Sequence, residues 1–258
     1  MNSDKAPVPT WICPPPRPLS KDENARASTV FSSILELRWQ PKGPIGVTGI
    51  ELQTALMLTQ PGPALPGGDN DFWPAKCQKL LVRPALEPIA CAYWQRLAAF
   101  DFNDNLALVI ASTLAGRRLV YRTTPSTGRG RRGSVAFEPI DMASQWLVKL
   151  RKAAAVAALR PALPAYAFAQ VIMAHPFSDG NGRFARLMVQ AGIARATGLA
   201  LPAVALAPAF YRRGDALGRA LTALGASRDW APFYDLFLSI LEDAVALTRT
   251  LRQARRGE

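Results

Sequence analysis

Beyond residue 84 the apolar residues return at helical spacing in one stretch after another, and that pattern is interrupted once, at residues 117–138. Helices are expected over 87–99, then 104–115 with Leu106, Ile110 and Leu114 on one face, then 142–159, 166–174, 183–197, about 208–224 and 231–252. The interruption reads RRLVYRTT, a turn-rich STGRGRRG and a β-prone SVAFE, which predicts one hairpin with Arg129, Arg131 and Arg132 at its tip. Those tip arginines read first as solvated turn charges, and second as a means of steering an acidic target. Successive helices joined by short connections, with no repeat of 20 to 50 residues, give an all-α chain bearing one hairpin and exclude a solenoid.

The first 84 residues follow different rules. Residues 1–25 are rich in proline and predict a flexible extended arm, because proline lacks the N–H that a helix interior needs. A helix is expected over 21–39, where Val30, Phe31, Ile34, Leu35 and Leu37 are apolar and Pro41 and Gly43 end it. Residues 41–84 are irregular, with a short helix at 50–58. The organisation is therefore an arm (1–25), an N-terminal segment (26–84) and a helical core (85–258).

Of the 258 residues, 31 are Lys or Arg and 19 are Asp or Glu, a formal charge of +12 that calls for an anionic partner, from a nucleic acid down to a small phosphorylated molecule. There is one histidine, His175, so any site built on two imidazoles is excluded. The three cysteines, Cys13, Cys77 and Cys91, fit neither a zinc spacing nor a complete disulfide set, which suits a reducing compartment. No apolar run reaches the length of a signal peptide or a membrane span, so a cytoplasmic location without membrane contact is expected.

Chemistry concentrates in HPFSDGNGRFAR, residues 175–186, between two expected helices. Gly180, Asn181 and Gly182 open the second of these, where free N–H groups and the helix dipole favour an anion. Arg183 and Arg186 stand three apart on that helix, share a face and can grip successive phosphates. Asp179 is a hard oxygen ligand suited to Mg²⁺ on phosphate oxygens. His175 closes the first helix with an ordinary pKa of about 6.5, suited to taking a proton from a hydroxyl. Phe177 would anchor the loop in the core. Together these are the parts for phosphoryl or nucleotidyl transfer to a hydroxyl. A P-loop at 128–134 is rejected for want of its lysine, and a cysteine protease pairing His175 with Cys77 or Cys91 leaves the glycines and arginines without a role.

His175, Pro176, Phe177, Asp179, Gly180, Asn181, Gly182, Arg183 and Arg186 resemble the Fic-domain signature at every specified position. That resemblance implies a helical core with a hairpin flap, and transfer of AMP from ATP, with Mg²⁺, to a Ser, Thr or Tyr hydroxyl of a target protein. His175 would then be the base and Asp179 the magnesium ligand. The backbone of Gly180 to Gly182 with the Asn181 side chain would orient the α-phosphate, while Arg183 and Arg186 hold the β- and γ-phosphates. Gly133, Ser134, Val135, Ala136 and Phe137 would form the flap strand that docks the target by strand addition.

Ser32 and Glu36, with three residues between, resemble the family's inhibitory helix, although Leu37 replaces its Gly or Asn. By that resemblance Glu36 would pair with Arg186 and hold ATP in an unreactive pose. Self-modification is expected, and an antitoxin partner is the alternative if Glu36 is only a surface residue. Transfer of UMP, phosphate or phosphocholine through the same motif stays open, although the family's phosphate-transferring members carry lysine where this chain has Gly182. A basic nucleic-acid-binding module with an idle motif is the reading of a different class, disfavoured because the helices after Arg186 are taken up by the core.

Overall fold

A computed structural model of the chain describes residues 8–37, 87–130, 133–199, 202 and 204–254. The expected short helix at 50–58, the tip residues Arg131 and Arg132, and Cys77 lie outside them. Among the described residues the architecture is all-α with one two-stranded antiparallel sheet, as the periodicity predicts. Two buried helices, α6 (Leu163–Ala174) and α7 (Asn181–Thr197), form its centre. Gly192, late in α7, meets Pro164 at the start of α6, which makes the two antiparallel neighbours joined by the motif loop. Alanines supply close approach between them, and α6 is apolar nearly all round because it is enclosed on every side.

Around this pair lie α2 (Glu87–Ala99), α3 (Asp104–Ala115) and α5 (Trp146–Ala155), then a 3₁₀ segment (Ala157–Ala162). On the other side α10 (Ala231–Ala254) packs against α8 (Leu206–Arg212), α9 (Gly214–Ser227) and α1 (Lys21–Glu36). The boundaries of α3 follow from local chemistry: the Asn103 side chain accepts the Leu106 N–H at 2.9 Å at one end, and Gly116 adopts φ 68° at the other. The stretch expected as one helix over 142–159 is broken, with α4 (Ile140–Ala143) separated from α5 by Ser144 and Gln145, and α5 ended by the extended Val156. Likewise 208–224 divides at Arg213, and α6 starts three residues earlier than its periodicity suggests because proline is tolerated in a first turn.

The N-terminal arm departs further from expectation. Residues 8–20 are extended, as their prolines require, but they are docked rather than free, with Trp11, Cys13 and Pro14 buried. Trp11 N–H donates to Ala136 O at 2.7 Å and Ala136 N–H to Pro9 O at 2.9 Å, so the arm adds a parallel bridge to strand β2 (Gly133–Ala136), which itself pairs with β1 (Thr127–Gly130). The Trp230 indole donates to Pro15 O and the Tyr234 hydroxyl to Arg17 O, fastening the arm to α10. Ser20 and Glu23 then form a reciprocal cap that starts α1.

Gly192 offers a direct test of the central packing. A Cβ there would stand 2.8 Å from Pro164 Cα, whereas one at Gly218 in α9 would meet nothing within 4 Å. Gly192→Ala is expected to cost about 1–3 kcal/mol through overpacking, and Gly218→Ala to stabilise by about 0.4–1 kcal/mol by restricting the unfolded chain; urea unfolding midpoints of the two variants measure both.

Candidate active site

The motif loop is built by a short antiparallel pairing. Tyr121 bridges Phe177, Arg122 N–H donates to Pro176 O at 2.8 Å, and Ser178 N–H donates to Val120 O at 2.9 Å. Phe177, fully buried, lies among Tyr121, Trp146 and Phe184, which gives it the anchoring position expected of it. Asn181 closes the loop from the inside: its Oδ1 accepts the Phe177 N–H at 3.0 Å and its Nδ2 donates to Phe177 O at 2.8 Å. The side chain expected to orient a phosphate is therefore a buried clamp between backbone groups, a role that a buried amide must have to be satisfied. Gly180 sits at φ 74° as the N-cap of α7, a conformation that glycine adopts without strain, and the first N–H groups of that helix stay available to an anion.

His175 ends α6 in a left-handed conformation, φ 46° and ψ 56°, its N–H donating to Val171 O at 3.0 Å. Such a conformation is uncommon for a side-chain-bearing residue and is held by its surroundings. Phe137, the residue after β2, stacks on the imidazole with centroids 3.8 Å apart and planes 11° from parallel. The ring's Nδ1 is buried and has no hydrogen-bond partner among the described residues. Burial lowers the imidazole pKa to about 4, with the Arg122 charge adding to the effect and the Ile172 carbonyl and Asp179 opposing it. His175 is thus neutral, and able to accept a proton, through the whole physiological range.

Asp179 is held by Arg117, whose Nη2 donates to Oδ2 at 2.6 Å, while Oδ1 accepts the Gly180 N–H at 2.6 Å. Arg117 and that N–H hold its carboxyl below the ordinary range, so it is ionised. Its side chain remains 43% exposed. Among the described residues no cluster of three acidic, His or Cys side chains could cage a metal. One half-exposed carboxylate nevertheless fits Mg²⁺, which takes one or two carboxylates and completes its shell with phosphates and water. Arg183 donates from Nη1 to Leu114 O at 2.8 Å, capping α3, and Arg186 lies one turn along α7 with its Nη1 3.6 Å from where a Gly182 Cβ would stand.

The inhibitory pair falls elsewhere. Ser32 is exposed, and Glu36, 71% exposed, meets Arg249 of α10 at 3.3 Å instead of Arg186. Arg26 meets Asp235 and Glu242 earlier on the same two helices, so the polar face of α1 is matched to α10. The strand expected to dock a target leads through Phe137 to His175, and its outer edge at Ala136 already carries the chain's own arm. Sequence reasoning missed Arg117, Arg122 and the fully buried Glu138, which accepts the Cys13 N–H at 2.8 Å and pairs with Lys149 at 3.4 Å. All three have partners far along the chain, and no spacing rule points to them. Beside the loop a cavity of about 360 Å³ opens against Pro176, Tyr121, Arg122 and Trp146.

The Fic/DOC family model matches residues 117–191, from the strand before the hairpin through most of α7. A Fic family protein from Desulfovibrio desulfuricans G20 shares the fold with a TM-score of 0.61 and 17% identity, over 92% of this chain and 77% of that one. A Fic domain containing signaling protein from Bacteroides thetaiotaomicron VPI-5482 superposes with a TM-score of 0.51 and 14% identity, over 89% of this chain and 98% of that one. No curated protein matches. The fold is that of Fic proteins and the motif segment matches the Fic/DOC family, whose members generally transfer nucleotide or other groups to proteins.

The lone histidine makes its environment measurable. Its folded pKa of about 4 lies below its ordinary value, so the folded state resists protonation: nothing is lost above pH 6.5, and stability falls as pH drops from there towards 4. Between pH 7 and 4.5 the wild type is expected to lose about 2 kcal/mol more than His175→Gln does, read by urea unfolding at the two pH values.

Proposed function

We propose that this chain is a protein adenylyltransferase, moving AMP from ATP onto a protein hydroxyl. The observation that carries the reading is a left-handed His175 at the head of the loop that opens α7, with the flap residue Phe137 laid against it. The hydroxyl oxygen attacks the α-phosphorus, the bond from that phosphorus to the bridging oxygen breaks, and pyrophosphate leaves. The hydroxyl proton passes to Nε2 of His175. The α7 N–H groups offset the charge developing on the phosphate oxygens, a contribution made by preorganised dipoles. Asp179 would hold Mg²⁺, which supplies charge neutralisation to the phosphates; the Arg117 guanidinium now on that carboxylate must turn aside first.

Arg186 and the free N–H groups of Arg183 suit the outer phosphates. Full-length protein incubated with ATP and Mg²⁺ is expected to gain one AMP in intact mass, and α-labelled but not γ-labelled nucleotide to mark it. His175→Ala removes the general base, which lowers transfer by at least about 10²-fold; label incorporated by that variant at the wild-type rate sinks the assignment.

The geometry favours a site that Glu36 does not restrain, since that carboxylate pairs with Arg249 on an exposed face. Glu36→Gly should leave self-modification within about two-fold of wild type, because an exposed pair of this kind is worth under about 1 kcal/mol. A rise of ten-fold or more on the same gel assay would restore the inhibitory reading.

A further inference from the structure

Arg122 lies fifty-three residues before His175, and its guanidinium is turned onto the end of α6. Its Nε donates to His175 O at 3.1 Å, and its Nη2 donates to Ala174 O at 3.0 Å and to Glu138 O at 2.6 Å. Nη1 reaches Thr124 O at 3.3 Å, and the residue's own N–H donates to Pro176 O at 2.8 Å. Two of these acceptors are carbonyls that a helix C-terminus leaves unpaired. The other two acceptors of the guanidinium are main-chain carbonyls at the two roots of the hairpin, Thr124 before β1 and Glu138 after β2. One planar cation therefore joins three things: the last turn of α6, the left-handed cap, and the flap whose Phe137 rests on the imidazole.

We propose that Arg122 is the positioning residue for His175, locking its backbone in the left-handed cap and holding the flap roots against it so that the imidazole is presented in one orientation. This rests on the reading of His175 as the base. Lysine could supply the charge but not the fork of donors that reaches several carbonyls at once. The charged groups that face the imidazole are Arg122 and Asp179, acting in opposite directions on its protonation, and burial under Phe137 adds to the Arg122 effect.

Because the chain has one histidine, proton NMR of the full-length protein gives one titrating imidazole. Wild type, Arg122→Lys and Arg122→Gln are compared by that signal and by AMP incorporation at saturating and limiting ATP. In Arg122→Gln the ring is expected to lose its stack and titrate at least one pH unit higher than in wild type. The lysine variant, which keeps the charge but not the fork, should move in the same direction by less. In both, transfer at saturating ATP should fall at least ten-fold, while the ATP concentration for half-maximal rate stays within two-fold. A folded Arg122→Gln protein, by thermal unfolding, whose histidine titrates as in wild type, or which transfers at the wild-type rate, overturns the proposal. Should the glutamine variant fail to fold, the lysine variant carries the same comparison. The NMR arm reads the ring without any reaction, so an absence of AMP transfer by wild type defeats the adenylyltransferase reading and leaves the positioning claim to be decided by the titration.

Discussion

The site depends on a pairing of two short extended segments, 120–122 against 176–178, where backbone hydrogen bonds hold the six-residue connection between α6 and α7. That connection has to satisfy its own polar groups while joining two helices buried along most of their length. The strand before the hairpin supplies donors and acceptors from outside, and the Asn181 amide does so from inside. With both faces of the loop fixed, His175, Asp179 and Gly180 have little freedom left. The geometry of the candidate site is therefore a by-product of closing a helical hairpin tightly.

Electrostatics follows from the same closure. The imidazole is placed in apolar surroundings beneath Phe137, which suppresses its charged form, while the carboxylate four residues later keeps its ionised form through Arg117 and a backbone N–H. Neighbouring groups of one loop are thus pushed to opposite preferences, the imidazole towards its neutral form and the carboxylate towards its ionised one. The overall charge of +12 contributes little to this, since arginines such as Arg26 and Arg249 are occupied with carboxylates on α10 and α1. Glu138 works at the junction of arm, flap and α5, where its buried carboxylate meets Cys13 N–H and Lys149.

What could be read in the sequence is what local chemistry decides. The ends of α3 follow from Asn103 and Gly116, and the motif from residues adjacent in the chain. The break at Val156 has no glycine or proline to announce it, and arises where the backbone turns extended before the 3₁₀ segment. The arm's prolines state that it is extended but not that Trp11 and Cys13 are buried, because burial depends on partners more than a hundred residues away. The same limit applies to Glu36: a Ser-x-x-x-Glu pattern describes one face of a helix, and only the fold assigns that face to α10. Arg117 and Arg122 looked like the lead into a basic hairpin and instead bind the motif.

The stack between Phe137 and His175 governs the direction from which a reactant can come. Imidazole accepts a proton along a nitrogen lone pair, which lies in the plane of the ring, and Phe137 covers a face of that plane rather than its edge. With Nδ1 buried, the ring's other in-plane nitrogen is Nε2. Phe137 is better described as a guide rail than as a lid over the histidine: on the proposed reading, it narrows the approach of a hydroxyl to the plane in which its proton would be taken.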